Sequence, residues 1–423
     1  MNMTRRGLGL GGLAMAMLAG CGGGPLVRGG PSGERDPGLR PQPNADYDAW
    51  VVAFRGRAQA AGITRSTLDS AFAGAGFLPG VVERDRNQTE FTRTLEDYLA
   101  IVAPEEKVQF GRGQVATQRN VLARVEDTYG VPPEVIGALW GMESYFGTRR
   151  GTINVFSATS TLAWEGRRGT FFEAQLMSAL RLLQAGDARA SEMVGSWAGA
   201  MGHTQMMPDV YETYAVDFDG DGRRHIWGDD PADALASTAR FLERRGWRRG
   251  QPWGLEVIVP AGYSGPTGRG SDRPVSSWRA AGIVPARGGA LPEAGEAALL
   301  IPEGPGTPAF LVYHNFEVIR RYNPSTNYAL ALGYLSGRLA GGGPLVGEFG
   351  PDANGLTLED RKSIQTGLSR RGYDAGTADG VVGDRTEAAI SAWQRDQGLP
   401  VTGEPSRALL ASLSREGFVA QSA

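Results

Sequence analysis

The chain has 423 residues, a mass of 45.0 kDa, a net charge of −3 and 41% hydrophobic residues. That is the composition of a globular protein of two or three domains, and it excludes a disordered chain or a multi-span membrane protein. No excess of positive charge is available to hold nucleic acid, and the single cysteine, Cys21, excludes an intrachain disulfide.

The N-terminus reads as an address. Arg5 and Arg6 precede an apolar stretch, Leu8 to Leu18, which closes on Leu18-Ala19-Gly20-Cys21. The stretch is too short to span a bilayer and has the layout of a secretory signal over residues 1–20. Its end resembles a bacterial lipobox, which implies lipidation at Cys21 and attachment to the membrane. Gly22 follows the cysteine, so nothing points to retention at the inner membrane, and an outer-membrane lipoprotein facing the periplasm is expected. The two arginines leave the export route open. Residues 21–45, rich in Gly, Pro and Arg, read as a flexible tether.

From Tyr47 to Leu339 the pattern is mostly helical. Apolar periodicity marks Tyr47–Ala61, Phe91–Val102 and Gln118–Tyr129. Pro132 and Pro133 open the next helix, where a missing N–H costs nothing. Between Gln251 and Val318 the period shortens, and Leu255–Val259 and Ala298–Ile301 read as strands of a small insert. Helix returns over Tyr328–Leu339. Gly341-Gly342-Gly343-Pro344 begins a linker, 341–354. A second unit, 355–415, follows, with helical stretches at Leu358–Arg371 and Thr386–Gln397.

One carboxylate stands out. The helix Val135–Ser144 is apolar on nearly every face, and Glu143 is the acid in its second half. It shares a face with Leu139 and Trp140. A carboxyl so placed is desolvated, holds its proton near neutral pH and can act as a general acid. The structural alternative is an ion pair with Arg149 or Arg150.

Two later segments favour the chemical reading. Gly195-Ser196-Trp197-Ala198-Gly199-Ala200-Met201-Gly202-His203-Thr204-Gln205-Met206-Met207-Pro208 crowds small residues around a Gln able to bond an acetamido or hydroxyl group. Arg321-Tyr322-Asn323-Pro324-Ser325-Thr326-Asn327-Tyr328-Ala329 is a polar turn ahead of a helix. The ordered set Glu-Ser-Tyr-Phe-Gly, Gly-Ser-Trp-Ala-Gly-Ala-Met-Gly-x-x-Gln-x-x-Pro, Asp-Gly-Asp-Gly and Arg-Tyr-Asn-x-Ser-x-x-Tyr-Ala resembles the lytic murein transglycosylase B family over residues 46–340.

The resemblance implies a mainly α, lysozyme-like (α+β) catalytic domain with a small strand-containing insert. It implies cleavage of the bond between N-acetylmuramic acid and N-acetylglucosamine in peptidoglycan. Glu143 would act first as acid and then as base, and the muramoyl C6 hydroxyl would close a 1,6-anhydro ring. By the same resemblance Ser196 helps hold the catalytic carboxylate and Gln205 contacts sugar. Tyr322 and Asn323 line the cleft, and Arg167 and Arg168 lie near the peptide stem. Hydrolysis by water at the same bond, and a non-catalytic peptidoglycan-binding lipoprotein, stay open as alternatives.

Asp217, Asp219 and Asp221, with Gly222 next, have the opening spacing of a calcium loop. Position 12 is Gly228 rather than Glu, and Asp233 is the expected closing carboxylate. The alternative is a set of turn-forming acids. No organic cofactor is expected. Residues 355–415 resemble a small three-helix peptidoglycan-binding domain through Ile364-Gln365, Gly372-Tyr373-Asp374, Asp379-Gly380, Trp393-Gln394 and Gly398-Leu399.

Overall fold

A computed structural model describes residues 36–87 and 93–419. Cys21, the signal and the first part of the tether lie outside the described residues, as do Phe91 and Thr92 at the start of one expected helix. No described helix is long and apolar enough to cross a membrane.

The main body is helical. At its centre Pro133–Ser144 is buried on almost every side, as its apolar sequence requires. Thr326–Leu339 lies along it, and Leu95–Val102, Glu105–Thr117, Arg119–Tyr129 and Ala232–Arg244 complete the layer around it. A second core joins Ala45–Ala60, Val155–Glu165 and Gly169–Ala185. Apolar periodicity was blind to several of these helices, because a helix buried all round shows no polar face.

The insert holds more strands than the sequence pattern gave. β1 (Ile153–Asn154) and β2 (Val194–Gly195) pair in the helical body. β3 (Gly254–Ile258), β4 (Arg273–Pro274), β5 (Val284–Pro285), β6 (Glu296–Leu300) and β7 (Ala309–Val312) form an antiparallel sheet, ordered β4-β6-β7-β3-β5. β7 is four residues of uninterrupted burial. Its alternation is therefore invisible, and the two-residue strands are too short to carry any.

Two segments expected to be loose are packed. Residues 36–44 lie against the helix Pro79–Arg86: Asp36 pairs with Arg84 at 2.6 Å, and Gln42 N–H donates to Phe77 O at 2.8 Å. The linker is clamped where the Glu256 carboxylate accepts the N–H groups of Val346 and Gly347 at 2.9 and 2.7 Å.

The C-terminal unit has three helices, Leu358–Arg370, Asp384–Asp396 and Arg407–Val419, around Ile364, Leu368, Ile390 and Trp393. Gln365 is fully buried: its amide donates to Val381 O and Thr386 Oγ1 and its carbonyl accepts Gly380 N–H at 2.7 Å. The unit is docked on the main body. Arg361, with its side chain 6% exposed, reaches Glu96 at 2.8 Å, Asp97 at 2.9 Å and Asp352 at 3.0 Å.

Gly141 and Gly111 make room for the ring of Phe146. A Cβ on Gly141 would meet the ring at 2.5 Å, and one on Gly111 at 2.2 Å. Gly141→Ala should therefore lower stability by about 1–3 kcal/mol, the cost of overpacking, despite the better helix propensity of alanine. A melting temperature equal to or above wild type would contradict the packing described.

Candidate active site

Glu143 sits one residue before the end of the central helix and faces a cleft of about 870 Å³. Burial pushes its carboxyl up to about 7. Two contacts pull the other way: Tyr328 OH donates to Oε1 at 2.6 Å, and the cation of Lys107 lies within Coulomb reach. Neither Arg149 nor Arg150 pairs with it. Arg150 bonds Gly228 O at 2.6 Å and Asp229 at 3.4 Å, and Arg149 lies over the ring of Tyr145.

The chain around Glu143 is held in an uncommon conformation. Tyr145 ends the helix at φ 50° and Phe146 follows at φ 55°. Two successive left-handed non-glycine residues are costly, and they persist where the surroundings fix them. Here Phe146 is locked between the two glycines, and Ser144 Oγ accepts the Gly147 N–H at 2.9 Å.

Behind the helix lies His203, a residue the sequence did not single out. Trp140 Nε1–H donates to its Nδ1 at 3.1 Å, so Nε2 carries the proton and donates to Gly228 O at 2.7 Å. Burial holds its pKa down at about 4, so it is a neutral brace at physiological pH. Its signal in the sequence was faint, a lone histidine inside a glycine-rich run.

The opposite wall comes from the pairing of β1 with β2, which delivers Ser196 and Trp197 to the cleft. Ser196 Oγ accepts the Ala200 N–H at 3.1 Å. Gln205, at φ 52°, donates through its amide to Arg150 O at 3.0 Å and Gly202 O at 2.9 Å and also lines the cleft.

Tyr322 and Asn323 form the floor. Tyr322 OH donates to Thr204 O, and burial pushes its hydroxyl well above the usual tyrosine value. Tyr328, the partner of the carboxylate, belongs to the same motif but had no role assigned from sequence. Ser325 caps its helix by accepting Tyr328 N–H at 3.3 Å, which fixes where that tyrosine points.

The paired arginines are engaged by Asp85. Arg167 Nε donates to its Oδ2 at 2.7 Å and Arg168 to its Oδ1, and Asp85 is 1% exposed. Arg168 borders the cleft, whereas Arg167 turns away from it towards Asp85.

The acidic loop converges as its spacing suggested. Oxygens of Asp217, Asp219 and Asp221 lie within 4.8 Å of one another, and all three residues are exposed. Asp233 does not join them. Its Oδ1 accepts Phe218 N–H at 2.7 Å and its Oδ2 accepts His225 N–H at 2.8 Å, so it ties together the two ends of the loop. Asp233 reaches the loop backbone because it opens a buried helix, Ala232–Arg244.

The second border of the cleft belongs to the C-terminal unit, whose segment 375–387 faces the main body and includes Asp379, Asp384 and Arg385.

The chain matches the Transglycosylase SLT domain family over residues 46–337 and the family described as Putative peptidoglycan binding domain over residues 357–413. Its sequence is 35% identical over 226 residues to membrane-bound lytic murein transglycosylase B of Escherichia coli (strain K12), covering 52% of this chain and 60% of that protein. The chain thus spans less than two thirds of that relative. Among solved structures, SltB3 from Pseudomonas aeruginosa in complex with NAG-NAM-pentapeptide is 45% identical, covers 88% of this chain and 100% of its own, and superposes with a TM-score of 0.70. An Escherichia coli lytic transglycosylase in complex with calcium is 30% identical, covers 70% of this chain and 93% of its own, and gives a TM-score of 0.59. A helical body with a half-buried acid facing its cleft, joined to a small three-helix unit, therefore belongs to the SLT-domain transglycosylase family, with a peptidoglycan-binding domain at its C-terminus.

Proposed function

We propose that the protein is a peptidoglycan lytic transglycosylase with Glu143 as its single acid and base. The observation that carries this is a carboxyl at about 7 on the wall of a large cleft, held by a tyrosine rather than an arginine. Such a group is protonated often enough to donate and ionised often enough to accept. The relative seen with NAG-NAM-pentapeptide supports a muropeptide substrate.

Glu143 protonates the glycosidic oxygen between N-acetylmuramic acid and N-acetylglucosamine, and the C1–O bond breaks. The carboxylate then takes the proton of the muramoyl C6 hydroxyl, whose oxygen bonds C1. No water is consumed, and the nucleophile belongs to the same sugar, so its effective concentration is high. Tyr328 keeps the carboxyl oriented through both transfers. Gln205 and Asn323 bind sugar groups, and Ser196 acts beside the carboxylate. Cys21 carries the lipid that places the enzyme at the periplasmic face of the outer membrane. The lipobox-like Leu18-Ala19-Gly20-Cys21 and the membrane-bound relative support that placement.

The loop acids form a calcium site. Hard carboxylate oxygens spaced at alternate residues suit that ion, and the Arg223 carbonyl would be the next donor along the loop. The ion would hold the loop against its own repulsion and has no part in the proton transfers.

Glu143→Gln should abolish release of muropeptides from sacculi, and mass spectrometry of wild-type products should find ends one water lighter than hydrolysed ends. Hydrolysed ends would move the assignment to a muramidase, and no products at all would leave a binding protein. The same substitution reports on burial. A carboxyl raised in the fold destabilises the protein as pH climbs from its unfolded value of 4.5 through about 7. Glu143→Gln should therefore melt higher than wild type at pH 8, by up to about 3 kcal/mol of stability, and no differently from wild type at pH 4.

Tyr328→Phe removes a hydrogen bond that favours the ionised carboxyl. The alkaline limb of kcat/KM against pH should then move to higher pH, with reduced activity throughout. A limb that stays in place would mean that Tyr328 does not tune the acid.

Millimolar calcium should raise the melting temperature. At a hundredfold excess over Kd the gain is about 2.7 kcal/mol. Asp217→Ala with Asp221→Ala should remove the rise, and equal melting in calcium and in chelator would leave the acids as turn formers.

A further inference from the structure

The cleft is bordered by several cations, and most are already committed. Arg168 is held by Asp85, Arg84 by Asp36 and Gly80 O, and Arg385 by Asp374, while Arg93 stands within Coulomb reach of Asp97. Arg149 differs. It lines the cleft five residues beyond the helix that carries Glu143, past the left-handed pair, its side chain is exposed, and among the described residues no carboxylate pairs with it. Its guanidinium carbon lies 4.5 Å from the centre of the Tyr145 ring.

That ring is itself a fixed support. Tyr145 is held at φ 50°, Phe110 stacks on it with centroids 5.5 Å apart and planes 26° apart, and Phe146 meets it edge-on at 6.3 Å. A second cation, Lys107 Nζ, stands 5.4 Å from the same ring centre and also lines the cleft. Lys107 is buried and within reach of Glu143. The strained turn after the acid therefore presents a pre-positioned guanidinium at the mouth of the cleft, with a buried ammonium deeper in. Stacking on an aromatic face leaves the edge N–H groups of a guanidinium pointing outward, in the fork that matches a carboxylate. Glu106, another acid on the cleft wall, acts on Tyr145, and among the described residues it forms no ion pair with Arg149.

We propose that Arg149, supported on Tyr145, is a specificity-determining residue that binds a carboxylate of the peptide stem on the muramoyl sugar. The inference rests on the transglycosylase reading. Every peptide stem with a free C-terminus offers such a carboxylate, and the pair Arg167 and Arg168, expected for this duty from sequence, is occupied by Asp85.

The test uses the full-length protein and two soluble muropeptide oligomers that differ only in the stem: free carboxylates in one, carboxamides in the other. Wild type should cleave the acid form with a kcat/KM about tenfold higher, the effect of one charge-assisted contact. In Arg149→Met that preference should fall to near one, chiefly through KM on the acid form. Arg149→Lys, which keeps the charge but not the fork, should restore only part of the preference. A wild type indifferent to amidation overturns the proposal, and so does an Arg149→Met variant that keeps the preference or loses activity equally on both substrates. Absence of 1,6-anhydro products from wild type on either substrate defeats the transglycosylase reading instead.

Discussion

Everything at the centre of this protein serves one awkward requirement, which is to keep a carboxyl out of water and still within reach of a polymer. Glu143, half-buried, meets it by sitting one residue before the end of a helix buried on almost every side, under Tyr328 from the helix packed alongside. Ionising the group there is opposed by desolvation and only partly helped by the tyrosine. The helix must then stop at once so that the cleft stays open. The left-handed Tyr145 and Phe146 make that stop, Gly111 and Gly141 accept the Phe146 ring, and His203 fixes Trp140 from behind. None of these residues has to touch substrate for its loss to be felt at the acid.

Much of this could be read in the sequence, for reasons that differ by residue. Glu143 was legible because an acid in the apolar second half of a helix violates the usual partition of polar and apolar residues, and violations mark function. The segments around Ser196, Gln205, Tyr322 and Asn323 were legible as ordered motifs, and the fold brings all four to one cleft. Tyr328 was not, since a tyrosine at helical spacing looks like core until its partner is known. The backbone bonds of Asp233 were not legible, because spacing along the loop says nothing about which way a carboxylate turns once its helix is buried. The short strands, and β7 with burial on both faces, escaped for lack of alternation.

The domain boundary was visible as glycine and proline, but its mechanical character was not. A run of Gly and Pro suggests slack, whereas the chain there is held by side chains far away in sequence, Glu256 on β3 and Arg287 beyond β5. Arg361 adds a buried guanidinium shared among three acids, a geometry that sequence cannot reveal because Glu96 and Asp97 lie in another helix. Such an arrangement is costly to bury and is repaid only when all its partners are present together, so it discriminates sharply between docked and undocked arrangements.

The clamp on Val346 and Gly347 sets the reach of the C-terminal unit. With the chain pinned there, only residues 348–357 separate a fixed point from the helix beginning at Leu358. Ten residues extend to at most about 35 Å. A domain on so short a leash meets the main body as an intramolecular ligand, at an effective concentration in the millimolar range. Under those conditions a contact too weak to hold two separate proteins together is enough to keep the unit seated most of the time. Lengthening the leash would dilute it without altering a single residue of the interface.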